Sequence, residues 1–274
     1  MFRFAVVLLC TLLLACACTG GTVVSQEGLR LEVFAVGKAD AMLLSIGGAN
    51  VLIDTGEDGD GKEIVDLLQK RGVEKIDLLI LTHFDKDHIG GADVVLQKMP
   101  VTTVRLPNYE SDSEQYAAMT EALAASSAEE IRMTEDASFT LGGAEFTMWV
   151  SDVKYKGDND NEQSLVTKVA YGGKTYLFMG DAEGKWLKHL CFGTYNLTCD
   201  VLKMPHHGRD DDNTLALLTV ALPTVAIVTD SEKNPASENT LSLLETFASE
   251  VYRTAVGSVL ITQDGTEFHA GYTE

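Results

Sequence analysis

From His83 to His88 the chain reads His-Phe-Asp-Lys-Asp-His. Two imidazoles and two carboxylates follow directly on an apolar run, Ile76 to Leu81, that has the look of a buried strand. Unpaired charge at a buried strand end is costly, so the cluster has something to neutralise. In an extended segment residues i and i+2 share a face, which lets His83 and Asp85 point the same way. Asp87 and His88 then fall where the chain turns into a helix. Gly90 and Gly91 leave room there for close backbone approach. Imidazole and carboxylate converging on one point are metal ligands by type. Helix capping would explain either aspartate alone, but not the whole string.

Two further strand ends carry the same residue types. Asp181 closes the run Lys174 to Gly180, and His206 and His207 follow Val201 to Pro205, with Gly208 next. The chain has six histidines, and four of them stand in these places. A single strand-end aspartate is often a cap; three ligand-bearing strand ends together define a metal centre.

The elements that must position them alternate. Apolar runs predict strands at 29–36, 40–47 and 50–56, then a helix over 61–72 with a basic last turn and Gly72 as its stop. The continuous apolar run 75–83 is a strand covered on both faces. Helix follows over 89–98, strand at 102–106 and an Ala- and Glu-rich helix over 108–128. Strands at 138–141, 144–150, 164–171 and 174–180 come next, then helix at 181–190 and strand at 199–205. Helix 214–222, strand 224–229, helix 237–248 and strands at 258–265 and 266–272 complete the chain. Two stacked sheets with helices outside would bury all of this. No repeat or low-complexity segment interrupts it.

The His83–His88 string resembles the His-x-His-x-Asp-His signature of the metallo-β-lactamase superfamily, in a His-x-Asp-x-Asp-His variant. The nearest resemblance is to the metallo-β-lactamase-like domain of ComEC-type DNA-internalisation proteins, and it covers nearly all of 29–274. Residues 33–56 look like that family's opening, and 81–91, 161–184 and 201–208 follow in its order. The resemblance implies an α/β fold, a four-layer αββα sandwich of two mixed sheets with helices on the outer faces. It also implies two divalent metal ions, zinc or manganese, sharing a hydroxide whose pKa they lower. By the same resemblance His83 and Asp85 bind the first metal, Asp87 and His88 the second, and Asp181 bridges them. His207, just before glycine, completes the second site. His206 would then either support the ligands from behind or face the substrate, Asp87 would orient the hydroxide, and Asp54 would support the ligands by hydrogen bonding. Lys203 and Arg209 flank the histidine pair and would meet an anionic group of the substrate.

The chain departs from the superfamily in three places. The region before Val166 lacks a histidine that many members carry, an absence the ComEC-type domains share; Asp160 or Asn161 could substitute, and an oxygen-rich first site favours manganese as an alternative to zinc. Ala35 replaces the usual aspartate before Val-Gly. Residues 234–239, Asn-Pro-Ala-Ser-Glu-Asn, lack a late histidine of the family, which weighs against nuclease activity in particular.

Composition bounds the rest. The 274 residues carry a formal net charge of −20, which repels polyanions and disfavours bulk nucleic-acid binding away from a metal site. Residues 1–15 read as a signal peptide of lipoprotein type, with Cys16 the acylated first residue of the mature chain and 16–28 a tether to a hydrolase domain at 29–274. An exported chain could oxidise Cys191 and Cys199 to a disulfide; two buried thiols are the equal alternative. The expected activity is an exported metallo-hydrolase cleaving phosphodiesters or phosphate esters, on a small or polymeric anionic substrate. Hydrolysis of an ester, lactone or amide, and a binding module with a degenerate site, are the alternatives.

Overall fold

The structure is a computed structural model that describes residues 28–248 and 250–273. The leader, Cys16 and nearly all of the tether lie outside the described residues. The described chain forms two mixed sheets. The first takes β1 (Leu29–Val33), β2 (Met42–Ile46), β3 (Ala49–Ile53), β4 (Ile76–Ile80), β5 (Val101–Pro107) and β6 (Glu129–Met133), with β14 (Val259–Asp264) and β15 (Glu267–Tyr272) beside β1. The second runs in the order β13 (Glu250–Arg253), β12 (Val225–Val228), β11 (Val201–Lys203), β10 (Lys174–Phe178), β9 (Val166–Tyr171), β8 (Ala144–Trp149), β7 (Ala137–Leu141).

Alternation along the strands builds three apolar layers. Val51 and Ile53 face Tyr176 and Phe178 across the gap between sheets. Leu52 and Leu79 face outward onto α1 (Gly61–Lys70), α3 (Ala92–Lys98) and α4 (Glu114–Ala125). Leu177 and Leu202 pack outward against α5 (Gly184–Phe192), α6 (Thr214–Ala221) and α7 (Glu238–Phe247). This is the αββα sandwich. Trp186 of α5 is fully buried and its indole N–H donates to Ser164 O at 2.9 Å, which fastens the outer helix to the β9 approach. Truncating a buried tryptophan of this kind costs about 3–5 kcal/mol.

Strands β3 to β6 are mutually parallel, as are β10 to β13. Parallel strands send all their C-terminal ends to one edge, where open α/β sheets place their ligands. Asp54, His83, Asp181 and His206–His207 all follow such ends.

Two local expectations change, and one open alternative is decided. The helix read at 108–128 is confined to Glu114–Ala125, because the Ser113 hydroxyl caps its start by accepting from Tyr116 N–H and Ser126 ends it. The segment 129–133 is strand β6, and 250–253 is strand β13; neither was visible as a strand in the sequence. Cys191 and Cys199 are free thiols, the second buried, and burial pushes both up to about 12.

Candidate metal centre

At the sandwich edge the backbone is bent into unusual shapes. Four non-glycine residues among those described have positive φ, and three are Asp54 at 59°, His206 at 48° and His207 at 54°. Left-handed backbone is costly away from glycine and persists where surrounding structure imposes it. Here it turns three polar side chains inward from strand ends. The loops are knit by their backbones: Asp40 N–H donates to Asp87 O at 3.0 Å, Thr55 N–H to His88 O at 2.7 Å and Gly90 N–H to Gly56 O at 3.1 Å. A Cβ on Gly90 would collide with the backbone of Asp58, and one on Gly91 with Thr55 O. The glycines after the histidine string are there for that contact.

The side chains converge on Asp181. His88 Nε2 lies 3.1 Å from its Oδ1, and His207 Nε2 lies 3.2 Å from its Oδ2. His207 Nε2 is also 3.4 Å from Asp87 Oδ2. His83 Nε2 is 3.7 Å from Asp85 Oδ2, and the His83 and His88 rings stand 4.1 Å apart. Nitrogen and oxygen donors of His83, His88 and Asp181 fall within 4.8 Å of one another, as do those of Asp87, His88 and His207. His206 sits at the rim, partly exposed, with Nε2 3.9 Å from Asp181 Oδ2 and Nδ1 2.7 Å from Glu183 Oε2.

Each inward nitrogen is fixed from behind. Asp54 Oδ2 takes His88 Nδ1 at 2.8 Å, and its two oxygens accept from the amide and hydroxyl of Thr82, each at 2.8 Å. His207 Nδ1 donates to Thr229 O at 3.0 Å. With Nδ1 occupied, Nε2 is the atom left to bind. The Nε2 atoms of His83, His88 and His207 and Oδ1 of Asp181 are all buried without a hydrogen bond. Buried polar atoms are nearly always satisfied, so four converging orphans are a cavity for a cation.

The charges agree. Asp40, Asp54, Asp85, Asp87 and Asp181 bring five carboxylates, against the ammonium groups of Lys38 and Lys203. Burial opposes charge on His88, but Asp181, Asp54 and Asp40 outweigh it and raise its pKa well above the ordinary value. Burial is likewise outweighed at His207, which Asp181, Asp40 and Asp87 push up to about 10. Burial would raise the carboxyl of Asp181, yet His207 and His88 hold it well below the usual range. Protons on the imidazoles take the place that divalent cations would fill. The donor set of imidazole nitrogen and carboxylate oxygen suits zinc or manganese.

Lys203 requires a correction. Its side chain is fully buried, paired with Asp40, and donates to Gly180 O at 3.2 Å. A substrate cannot reach it; it neutralises Asp40 beneath the cluster. Lys38, which the sequence reading passed over, is the cation at the mouth: its Nζ is 2.7 Å from Asp87 Oδ2 and one-fifth of its side chain is exposed. Arg209 is exposed. Asp40, Thr229 and Glu183 were also passed over. Asp40 lies within the Gly37–Ala41 stretch that carried the resemblance, but a lone aspartate ahead of an apolar strand reads as a turn.

A double-sheet α/β sandwich with His and Asp donors gathered at the strand ends defines a metallo-hydrolase-type scaffold. Residues 35–229 match the metallo-beta-lactamase superfamily, and the chain belongs to it. It is 29% identical to "Recombination protein 2" of Haemophilus influenzae over 99% of this chain and 33% of that protein. It is 27% identical to "ComE operon protein 3" of Bacillus subtilis over 84% of this chain and 32% of that protein. The chain thus spans about a third of the length of these curated relatives. Among solved structures, the metallo-beta-lactamase fold protein YhfI of Bacillus subtilis superposes with a TM-score of 0.54 at 16% identity, covering 83% of this chain and 98% of that one. CmlA, a diiron beta-hydroxylase from Streptomyces venezuelae, superposes with a TM-score of 0.54 at 13% identity, over 87% of this chain and 54% of that one. Those two likenesses concern the fold. No helix among the described residues is long and apolar enough to cross a membrane.

Proposed function

We propose that the chain is a dinuclear metal-dependent hydrolase acting on phosphodiester or phosphate-ester substrates. The observation that carries the reading is the convergence of three buried, unpartnered imidazole Nε2 atoms on Asp181. His83, Asp85 and Asp181 would hold one ion, and Asp87, His88, His207 and Asp181 the other. Bound divalent cations would acidify water and neutralise charge developing on an attacked phosphorus.

The residues of the chain do the rest. Asp54 and Thr229 hold His88 and His207 in the tautomer that presents Nε2. Asp181, grouped with His83 and His88 and 3.2 Å from His207, would link the two halves. Lys203 keeps Asp40 ionised below the cluster, with its ammonium 3.8 Å from Asp181 Oδ1. His206 stands at the rim with Nδ1 on Glu183, so its Nε2 is placed to carry a proton to a leaving oxygen. Lys38 and the exposed Arg209 supply positive charge at the mouth of an acidic protein.

The compartment belongs to the same reading: a lipoprotein leader with acylated Cys16 would tether the hydrolase outside the cytoplasm. The fold does not choose the substrate. The phosphoryl class is favoured by relatives whose names attach them to recombination and competence.

The test is a panel of bis-(p-nitrophenyl) phosphate, a lactone and a cephalosporin, with wild type and Asp181→Ala. The reading predicts chelator-sensitive cleavage of the phosphodiester by wild type. In Asp181→Ala that cleavage is lost and metal content falls at both sites. Metal-dependent turnover of the lactone alone would move the chain to the carboxyl-ester class. A variant that keeps two metals and full activity would leave a binding module as the better account.

A further inference from the structure

The half of the centre around His83 lacks a nitrogen donor from the β9 side, because 154–163 holds no histidine. The structure nevertheless brings that segment to the centre. Leu165 N–H donates to Thr82 O at 2.8 Å, and Ser164 Oγ accepts from Asp181 N–H at 3.1 Å. A short 3-10 turn, Asn161–Gln163, is therefore pinned to the two strand ends that carry His83 and Asp181.

Within the turn, Asn161 Nδ2 donates to Glu183 Oε1 at 3.1 Å. A carboxylate only accepts, so the amide must offer Glu183 its NH2 and turn its carbonyl the other way. That carbonyl, Oδ1, is buried and has no partner. Glu183 uses its second oxygen on His206 Nδ1 at 2.7 Å. One carboxylate thus fixes the amide of Asn161 and the ring of His206 together.

Asp160 is the competing donor, and its Oδ1 is also buried and unpartnered. Charge decides between them. The His83 half already holds the carboxylates of Asp85 and Asp181, and the whole cluster has more carboxylates than ammonium groups. A third anion there would raise the cost of the empty site, whereas a neutral amide oxygen adds a ligand without adding charge.

We propose that Asn161 Oδ1 completes the metal site formed by His83, Asp85 and Asp181, and that Glu183 is the positioning residue that aims both Asn161 and His206. The inference rests on the two-metal reading above. It makes the His83 half a nitrogen-poor, oxygen-rich site, which suits manganese better than zinc.

The experiment uses the full chain, stripped with chelator and reloaded with Mn²⁺ or Co²⁺. It reads metal per chain by elemental analysis, the visible spectrum of the cobalt form and the metal-free melting temperature. Wild type should bind two equivalents. Asn161→Ala should keep one, with an altered cobalt spectrum and an unchanged metal-free melting temperature. Asn161→Asp, which keeps the oxygen, should restore the second equivalent. Glu183→Ala should weaken the first site about 10–100-fold, and Glu183→Gln, which keeps an acceptor for the amide, should recover most of it. Glu183 makes no capping hydrogen bond to α5, so its truncation spares the helix. Two equivalents at wild-type affinity in Asn161→Ala, or loss of the first metal in Asp160→Ala instead, would overturn the proposal. A wild-type chain that takes up no metal would overturn the two-metal reading itself.

Discussion

The two halves of the cluster are built differently. Around His88 and His207 every side chain is buried, and each is held from behind: Asp54 on His88, Thr229 on His207, Lys203 on Asp40. Around His83 the support is a hydroxyl rather than a carboxylate, with Thr82 Oγ1 3.1 Å from Nδ1. Asp85 has 44% of its side chain exposed and lies 3.7 Å from His83. One half is preorganised in a low-dielectric setting; in the other His83 is buried but the Asp85 carboxylate stands partly in water. Rigid, desolvated donors bind tightly because little ordering is left to do, while an open site gives up part of its binding energy to ordering. The difference teaches that the two proposed metal positions should differ in affinity and in exchange, with the His88–His207 position the tighter.

The largest expected contrast comes from mutating the supports without metal. Lys203→Met removes the ammonium group paired with the buried carboxylate of Asp40, which costs about 3–5 kcal/mol. Asp85→Asn, in the open half, should change stability by no more than about 0.5 kcal/mol. Denaturant titration of the chelated protein checks both, and equal effects would erase the distinction between the halves.

The next effect is gradual. In the metal-free protein His88 and His207 carry raised pKa values because carboxylates surround them. A group raised on folding contributes stability that is fully present below its unfolded pKa of about 6.5 and lost as pH climbs through the folded value. For His207 that window runs from about 6.5 to about 10. The chelated protein should therefore melt lower at pH 9.5 than at pH 6. Metal displaces those protons, so metal affinity should rise with pH over the same window. Melting curves at both pH values, with and without Mn²⁺, decide this; a metal-free melting temperature that rises with pH would contradict it.

Much of this was legible in the sequence because period and type coincided. Strands β4, β10 and β11 are apolar runs ending in His or Asp, so their ends announced the site. Edge strands β6 and β13 were not legible. Each has a neighbour on one side only, and residues such as Glu129, Glu130 and Glu250 face solvent, so no apolar alternation marks them. Lys203 misled for a different reason. Its position beside the histidines was right, but in a strand the neighbouring residue points elsewhere, and this one points beneath the cluster to Asp40. Asp40 and Glu183 were missed because their meaning lies in partners far along the chain, which no local spacing encodes.

The central claim is that the cluster exists to hold two divalent cations of unequal affinity. It is tested most directly by calorimetric titration of chelator-stripped protein with Mn²⁺ and with Zn²⁺, paired with elemental analysis. The account predicts two binding steps per chain: a tight one abolished by His88→Ala or His207→Ala, and a weaker one abolished by His83→Ala alone. A stripped chain that binds neither ion, or that binds both with one affinity untouched by His207→Ala, would contradict it.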